Sequence, residues 1–331
     1  MKMTTSQPAV GGTTAGDGIT KCSGTNTTPL TLSNSFGNIQ WQSAVASVGT
    51  YSNITGATSS SYTANNLTTR TNFRALLTNG ACSAFSTVTT VAVDSVSVGG
   101  TTSGSNTVCI TSNSSTLNLS GYRGTIVWQS ATLNGTFADM NPAQTAPSLS
   151  VSGLLETMRY RAIVTNGVCT SATSTTATIT VSPASVGGNV YPADTTVCGN
   201  GNNVTLRVAN QVGTVYQWQL STDGGLSFSN VSSGGTSATY TVPSLTATTK
   251  YRVVVTSGAC AGDTSSVATI NVDPAINAGN ITGDDTVCAV SNSTMLTLNG
   301  VSGDIAKWQW STSPTFSTFT DIDNSAGLTQ Y

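Results

Sequence analysis

Apolar positions along residues 95–182 alternate: Leu117 with Leu119, Ile126 with Trp128, Leu149 with Val151. A period of two marks strands with one buried face, and no apolar stretch of period 3.6 argues for a helix. Gly121 and Gly124 turn the chain between the first two of these strands. Phe137 and Met140 predict a shorter edge strand, and Tyr160 to Val164 a long one. Asn166-Gly167 follows as a hairpin signal, and Ala177 to Val181 closes the unit. About seven short strands with turns at close, regular spacing predict an antiparallel β-sandwich. Its expected core is Leu119, Trp128, Tyr160 and Val164.

The pattern repeats. Cys22, Cys109, Cys198 and Cys288 are 87, 89 and 90 residues apart, and Cys82, Cys169 and Cys260 follow the first three by 60, 60 and 62. Trp41, Trp128, Trp218 and Trp308 each come 19 or 20 residues after the opening cysteine of their unit. A fixed period of this length predicts tandem copies of one small domain: residues 4–94, 95–183, 184–274 and 275–331. Four tryptophans in one register predict core anchors. The aromatic that precedes each closing cysteine by nine residues (Phe73, Tyr160, Tyr251) is matched to Tyr331, so the fourth repeat is expected to lack its last two strands. Trp310 has no counterpart, since the third repeat carries Leu220 there, and it should share the face of Trp308.

Composition narrows the reading. The chain is 331 residues long, 37% hydrophobic and only 7% charged, against roughly 25% charged in ordinary domains. Thr and Ser in place of Lys and Glu suit exposed strands. Net charge is −2 and no basic patch exists, which argues against nucleic acid as a partner. No apolar run approaches the roughly 20 residues of a membrane span, so direct membrane insertion is not expected.

The paired cysteine spacing predicts disulfides and an oxidising compartment. Zinc is disfavoured because the chain has no His and no CxxC. The expected bridges are Cys22–Cys82, Cys109–Cys169 and Cys198–Cys260, each within its repeat, with the partner of Cys288 beyond Tyr331. Such a bridge would tie the opening segment of a sandwich to a hairpin at one end, unlike the antibody arrangement of facing core strands. In the chain-entropy model a loop of about 60 residues gives roughly 4 kcal/mol.

The strings WQSATLNGTFADM, YRAIVTNGVC and WQLSTDGGLSFSNV resemble the immunoglobulin-like repeats of very large Bacteroidota surface proteins, including gliding-motility adhesins and other type IX-secreted products. The resemblance covers nearly the whole chain. It implies export, an outer-membrane-attached position at the cell surface, and a role as stalk or adhesin. Its implied partners are other domains of the same protein, surface glycans and an outer-membrane anchor. Export and sorting signals are expected outside this sequence.

Candidate chemistry is sparse. Without His, a Ser-His-Asp or Cys-His arrangement is excluded. Glu156 is the only Glu and has no carboxylate near it in sequence for paired-acid chemistry. No catalytic residue, cofactor or metal site is expected. Asp284-Asp285 and Asp321 with Asp323 are the clusters to weigh for calcium, and they read as solvated acidic turns. Gly99-Gly100 and Gly187-Gly188 are expected to allow a close approach at the joint or a bulge. Asp94-Ser95-Val96, Asp194-Thr195-Thr196 and Asp285-Thr286-Val287 resemble the O-glycosylation motif of exported Bacteroidota proteins, which makes Ser95, Thr195 and Thr286 candidate acceptors.

The reading is a structural stalk or spacer without enzymatic activity: tandem immunoglobulin-like sandwiches in an elongated rod, stiffened by Pro183 and Pro274 at two joints. A glycan- or surface-binding module, with Trp310 as the contact, is the alternative. A filament or phage structural protein is a second, disfavoured by the cysteines.

Overall fold

The structure is a computed structural model that describes residues 7–16, 18–199, 201–290 and 292–331. The expected start of the first repeat at residue 4 lies outside them. All of the regular elements among the described residues are strands. The chain divides into two compact units, residues 1–182 and 183–331. The first holds two sandwiches, the second one full sandwich and a shorter fourth repeat.

The first repeat shows the plan. Its strands are β1 (Thr13–Ala15), β2 (Ile19–Cys22), β3 (Thr27–Ser33), β4 (Asn38–Val45), β5 (Ser52–Asn53), β6 (Ser61–Asn65), β7 (Thr71–Asn79), β8 (Cys82–Phe85) and β9 (Thr89–Asp94). One sheet has the order β1-β3-β6, the other β2-β9-β7-β4-β5 with β8 also on β7. Every pairing is antiparallel except β2 on β9, which is parallel. The opening strand thus lies beside the closing one, and this immunoglobulin-like device places Cys22 opposite Asp94 at the exit of the repeat.

Residue pattern explains the layers. In β3 the inward positions Thr28, Leu30 and Leu32 are buried and the outward ones exposed, as the strand period requires. Leu30, Trp41, Phe73, Leu77 and Val91 fill the space between the sheets. The second repeat copies this with Leu117, Leu119, Trp128, Tyr160, Val164 and Ile179, the third with Leu206, Trp218, Tyr251, Val253 and Ile270. Trp41, Trp128 and Trp218 are fully buried, and each satisfies its indole N–H on a backbone carbonyl: Ser59, Ala146 and Ser237, at 2.9, 2.8 and 2.8 Å. Burial with the polar handle paired is what makes tryptophan a core anchor.

The opening segment needs glycine. A Cβ on Gly99 would collide with the backbone of Thr173 and come within 2.8 Å of the Ser174 nitrogen. The close approach expected of the paired glycines is therefore to a strand within the same repeat, not across the joint. The sequence reading also missed two short strands, Thr101–Ser103 in the smaller sheet and Asn106–Cys109, which brings Cys109 into the larger one.

The fourth repeat requires a correction. Leu298 and Leu296 pair with the backbone of Thr329 and Tyr331, as Leu32 and Leu30 pair with Ser60 and Tyr62. Tyr331 thus occupies the position of Tyr62 and Tyr240, not that of Phe73. Its ring lies 6.2 Å from that of Trp308, as Tyr62 lies 6.0 Å from Trp41. Among the described residues the fourth repeat has four strands, Asn280–Thr282, Thr297–Asn299, Gln309–Trp310 and Thr320–Asp321, against nine in the first, so more than the expected two are lacking.

Candidate functional site

The joint between the first two repeats is where the most chemistry collects. Strand β9 ends at Asp94, and the next three residues lead into the second repeat. Against them sits the hairpin at Asn166-Gly167. The Asn166 side-chain amide donates to the Ser95 carbonyl at 2.7 Å, and its backbone N–H donates to Ser97 Oγ at 2.9 Å. Asp94 Oδ2 accepts from the Val168 N–H at 3.0 Å. At the end of this hairpin, Cys169 is bonded to Cys22 of the preceding repeat, with 4.9 Å between the Cα atoms.

The bridge thus runs between repeats, which corrects all three expected pairings. Cys82 and Cys198 are free thiols, as is Cys288, while Cys109 and Cys260 are each disulfide-bonded. Strand register gives the reason. Cys22 lies opposite Asp94, three residues past the Thr71–Val91 pair at the start of β7. Cys82 lies opposite Asn79 at the other end of β7. At about 3.3 Å per residue that separates the two cysteines of one repeat by about 35 Å along the sandwich. A disulfide needs Cα atoms within about 7 Å. The same holds in the second repeat, where Cys109 lies opposite Ser182 and Cys169 beyond the far end of Met158–Thr165. In the third, Cys198 lies opposite Asp273 and Cys260 beyond Thr249–Thr256.

An asparagine beside each opening cysteine escaped the sequence reading. Asn26 donates to the Cys22 and Leu67 carbonyls at 2.8 and 2.7 Å and accepts from the Leu67 N–H at 3.0 Å. Asn113 and Asn202 do the same with Cys109 and Leu154, and with Cys198 and Leu245. The signal was present: asparagine stands four residues after Cys22, Cys109, Cys198 and Cys288. It locks the turn after the opening strand, so the cysteine is held at a fixed place beside the joint.

Other candidates are scattered. Ser95 is exposed in the joint, Thr195 is half-buried in Asp194–Cys198, and Thr286 is exposed. Register places Asn106, opposite Ile179, where Thr195 stands opposite Ile270, so Ser95 and Thr195 do not share one structural position. Trp308 is buried, but Trp310 is 52% exposed. The face expected to be common to the two tryptophans is therefore covered at Trp308, by Tyr331, and open at Trp310. Trp310 borders a shallow depression with Thr312, Thr318, Phe319 and Thr320.

The acidic residues are engaged locally. Asp321 pairs with Lys307 at 2.5 Å and accepts from Gln309 at 2.8 Å, and these contacts, the Lys307 hydrogen bond first, hold its carboxyl below the usual range. Asp223 closes a loop by accepting from the Ser221 and Ser227 hydroxyls at 2.6 and 2.5 Å, which lowers its carboxyl well below the usual range. Asp285 accepts from the Thr286 N–H at 2.7 Å. Among the described residues no cluster of three His, Cys, Asp or Glu could hold a metal ion. Nor is any helix among them long and apolar enough to cross a membrane.

Comparison with known proteins agrees with the repeat. The family of a domain of unknown function (DUF8696) matches four times, at residues 10–95, 98–183, 186–274 and 277–331. No curated protein matches the chain. Among solved structures, the FN1–FN3 domains of chicken CNTN1 are similar at 13% identity and a TM-score of 0.28, over 81% of this chain and 99% of that one. Sidekick-1 immunoglobulin domains 1–4 are similar at 13% identity and a TM-score of 0.31, over 79% of this chain and 73% of that one.

Proposed function

We propose, for a chain that belongs to the DUF8696 domain family through four consecutive repeats, that it serves as a covalently stapled spacer in a large exported cell-surface adhesin. Tandem immunoglobulin-like repeats suit a structural role in an extracellular-type protein, and the disulfides require an oxidising setting. The observation that carries the reading is the Cys22–Cys169 bond. A bond inside a repeat stabilises that repeat, whereas a bond from one repeat to the next limits how far the series can lengthen when the members between its ends unfold. Solubility comes from the polar outward positions, and the recurring cores supply resistance to unfolding. The resemblance of the repeat strings to Bacteroidota surface repeats supports type IX export, outer-membrane attachment and a part in gliding or surface attachment. The proposed role is non-enzymatic.

A glycan- or surface-binding module is the second reading, favoured by the exposure of Trp310 beside Phe319, which is 57% exposed. Exposed aromatic faces suit sugar stacking. A glycan array and a whole-cell adhesion assay with the purified chain separate the two. The spacer reading expects no specific binding at micromolar concentration. Specific binding that Trp310→Ala abolishes would overturn it in favour of an adhesive module.

A further inference from the structure

The free thiol of Cys82 lies at the same place in its repeat as the bonded Cys169. Each follows the long strand of the larger sheet by a tight turn. In the second repeat, Asn166 donates its side-chain amide to the Ser95 carbonyl at 2.7 Å. In the first, Asn79 donates in the same way to the Gln7 carbonyl at 2.8 Å. Gln7 thus stands where Ser95 stands, and the hairpin end of the first repeat is already shaped as one half of a joint.

The other half is also repeated. Cys198 is exposed and free, and lies opposite Asp273 across a parallel strand pair, as Cys22 lies opposite Asp94. Asp94 caps the N–H of Val168, the residue just before Cys169. An aspartate delivered beside an opening cysteine would find the N–H of Ala81 in the equivalent place before Cys82.

We propose that the hairpin end of the first repeat is a covalent docking surface for a further repeat of this same domain type, joined through that repeat's opening cysteine to Cys82. The partner's closing strand would run into Gln7 and its aspartate would cap Ala81. Its thiol and that of Cys82 would then form the bridge. The two thiols lose two protons and two electrons, which a small disulfide such as oxidised glutathione accepts as it leaves as two thiols. The inference goes beyond the spacer reading but rests on the repeats being stapled in series.

The test lengthens the full chain by one repeat. A copy of residues 7–94 placed directly before Gln7 sets its opening cysteine 148 residues before Cys82, against 147 between Cys22 and Cys169. A second chain carries a copy of residues 183–273 instead, which brings the Cys198 and Asp273 pair to the joint. After equilibration in oxidised and reduced glutathione, Cys82 is expected to lose maleimide reactivity and to appear in unreduced peptide maps bridged to the added opening cysteine. The closing cysteine of the added copy is expected to stay free. Cys82 remaining reactive in both chains, or bridged to any other cysteine, would overturn the proposal. In either case, an intact Cys22–Cys169 link in the same map leaves the spacer reading standing.

Discussion

Stretched between its two ends by single-molecule force spectroscopy, the reduced protein should extend at least about 500 Å further than the oxidised one. The bond between Cys22 and Cys169 spans 147 residues, and each residue adds about 3.4 Å of contour once pulled straight. Force entering at the N-terminus passes through the sulfurs, so the length between Cys22 and Cys169 is withheld from extension even after both sandwiches have unfolded. Reduction restores that length. The control is Cys82→Ser, which should leave the oxidised extension unchanged because Cys82 carries no bond. Under pairing within repeats, the same substitution would release a 60-residue loop and add about 200 Å, and such a gain would contradict the account. For a spacer under load, the shielding means that a lost core does not become a long slack segment.

Trp128→Ala should destabilise the second repeat by about 3–5 kcal/mol, the range for deleting a buried tryptophan. The side chain is fully buried, and its removal both leaves a cavity and orphans the Ala146 carbonyl, which accepts the indole N–H at 2.8 Å. Trp310→Ala should change stability by no more than about 0.5 kcal/mol, as expected for an exposed site. Urea denaturation of the full chain, followed by hydrogen exchange over residues 98–182, measures both. Comparable losses for the two substitutions would mean that Trp310 is a core residue and that the assignment of faces in the fourth repeat is wrong.

Much of this architecture was legible in the residues. Alternation at Leu117 and Leu119 and at Leu149 and Val151 marked strands that the structure contains, and the tryptophan register marked the core. The disulfide partners were not legible, because spacing reports which cysteines recur but not which end of the sandwich each occupies. That depends on Asn106–Cys109 pairing in parallel with Ala177–Ser182, and short polar strands of this kind leave little period-two signal. The parallel pairing carries the opening cysteine to the exit of its repeat, beyond reach of its own hairpin. Tyr331 was misassigned for a related reason. Distance to a closing cysteine could not be counted in the fourth repeat, and the backbone pairing of Leu296 with Tyr331 was needed to place it. The asparagine four residues after each opening cysteine was visible as a recurrence, but its hydrogen bonds to a residue such as Leu67 cross from one end of the sequence repeat towards the other.

The central claim, that the staple joins consecutive repeats, is tested most directly by mass spectrometry of an unreduced tryptic digest. Cleavage after Lys21 and Arg70 isolates Cys22 in the peptide 22–70, Cys82 falls with Cys109 in 75–123, and Cys169 falls with Cys198 in 162–207, so fragmentation of the linked pair assigns the bonded sulfurs. The account predicts 22–70 linked to 162–207 through Cys169. Peptide 22–70 linked instead to 75–123 through Cys82 would return the bridge to the interior of the first repeat and contradict it.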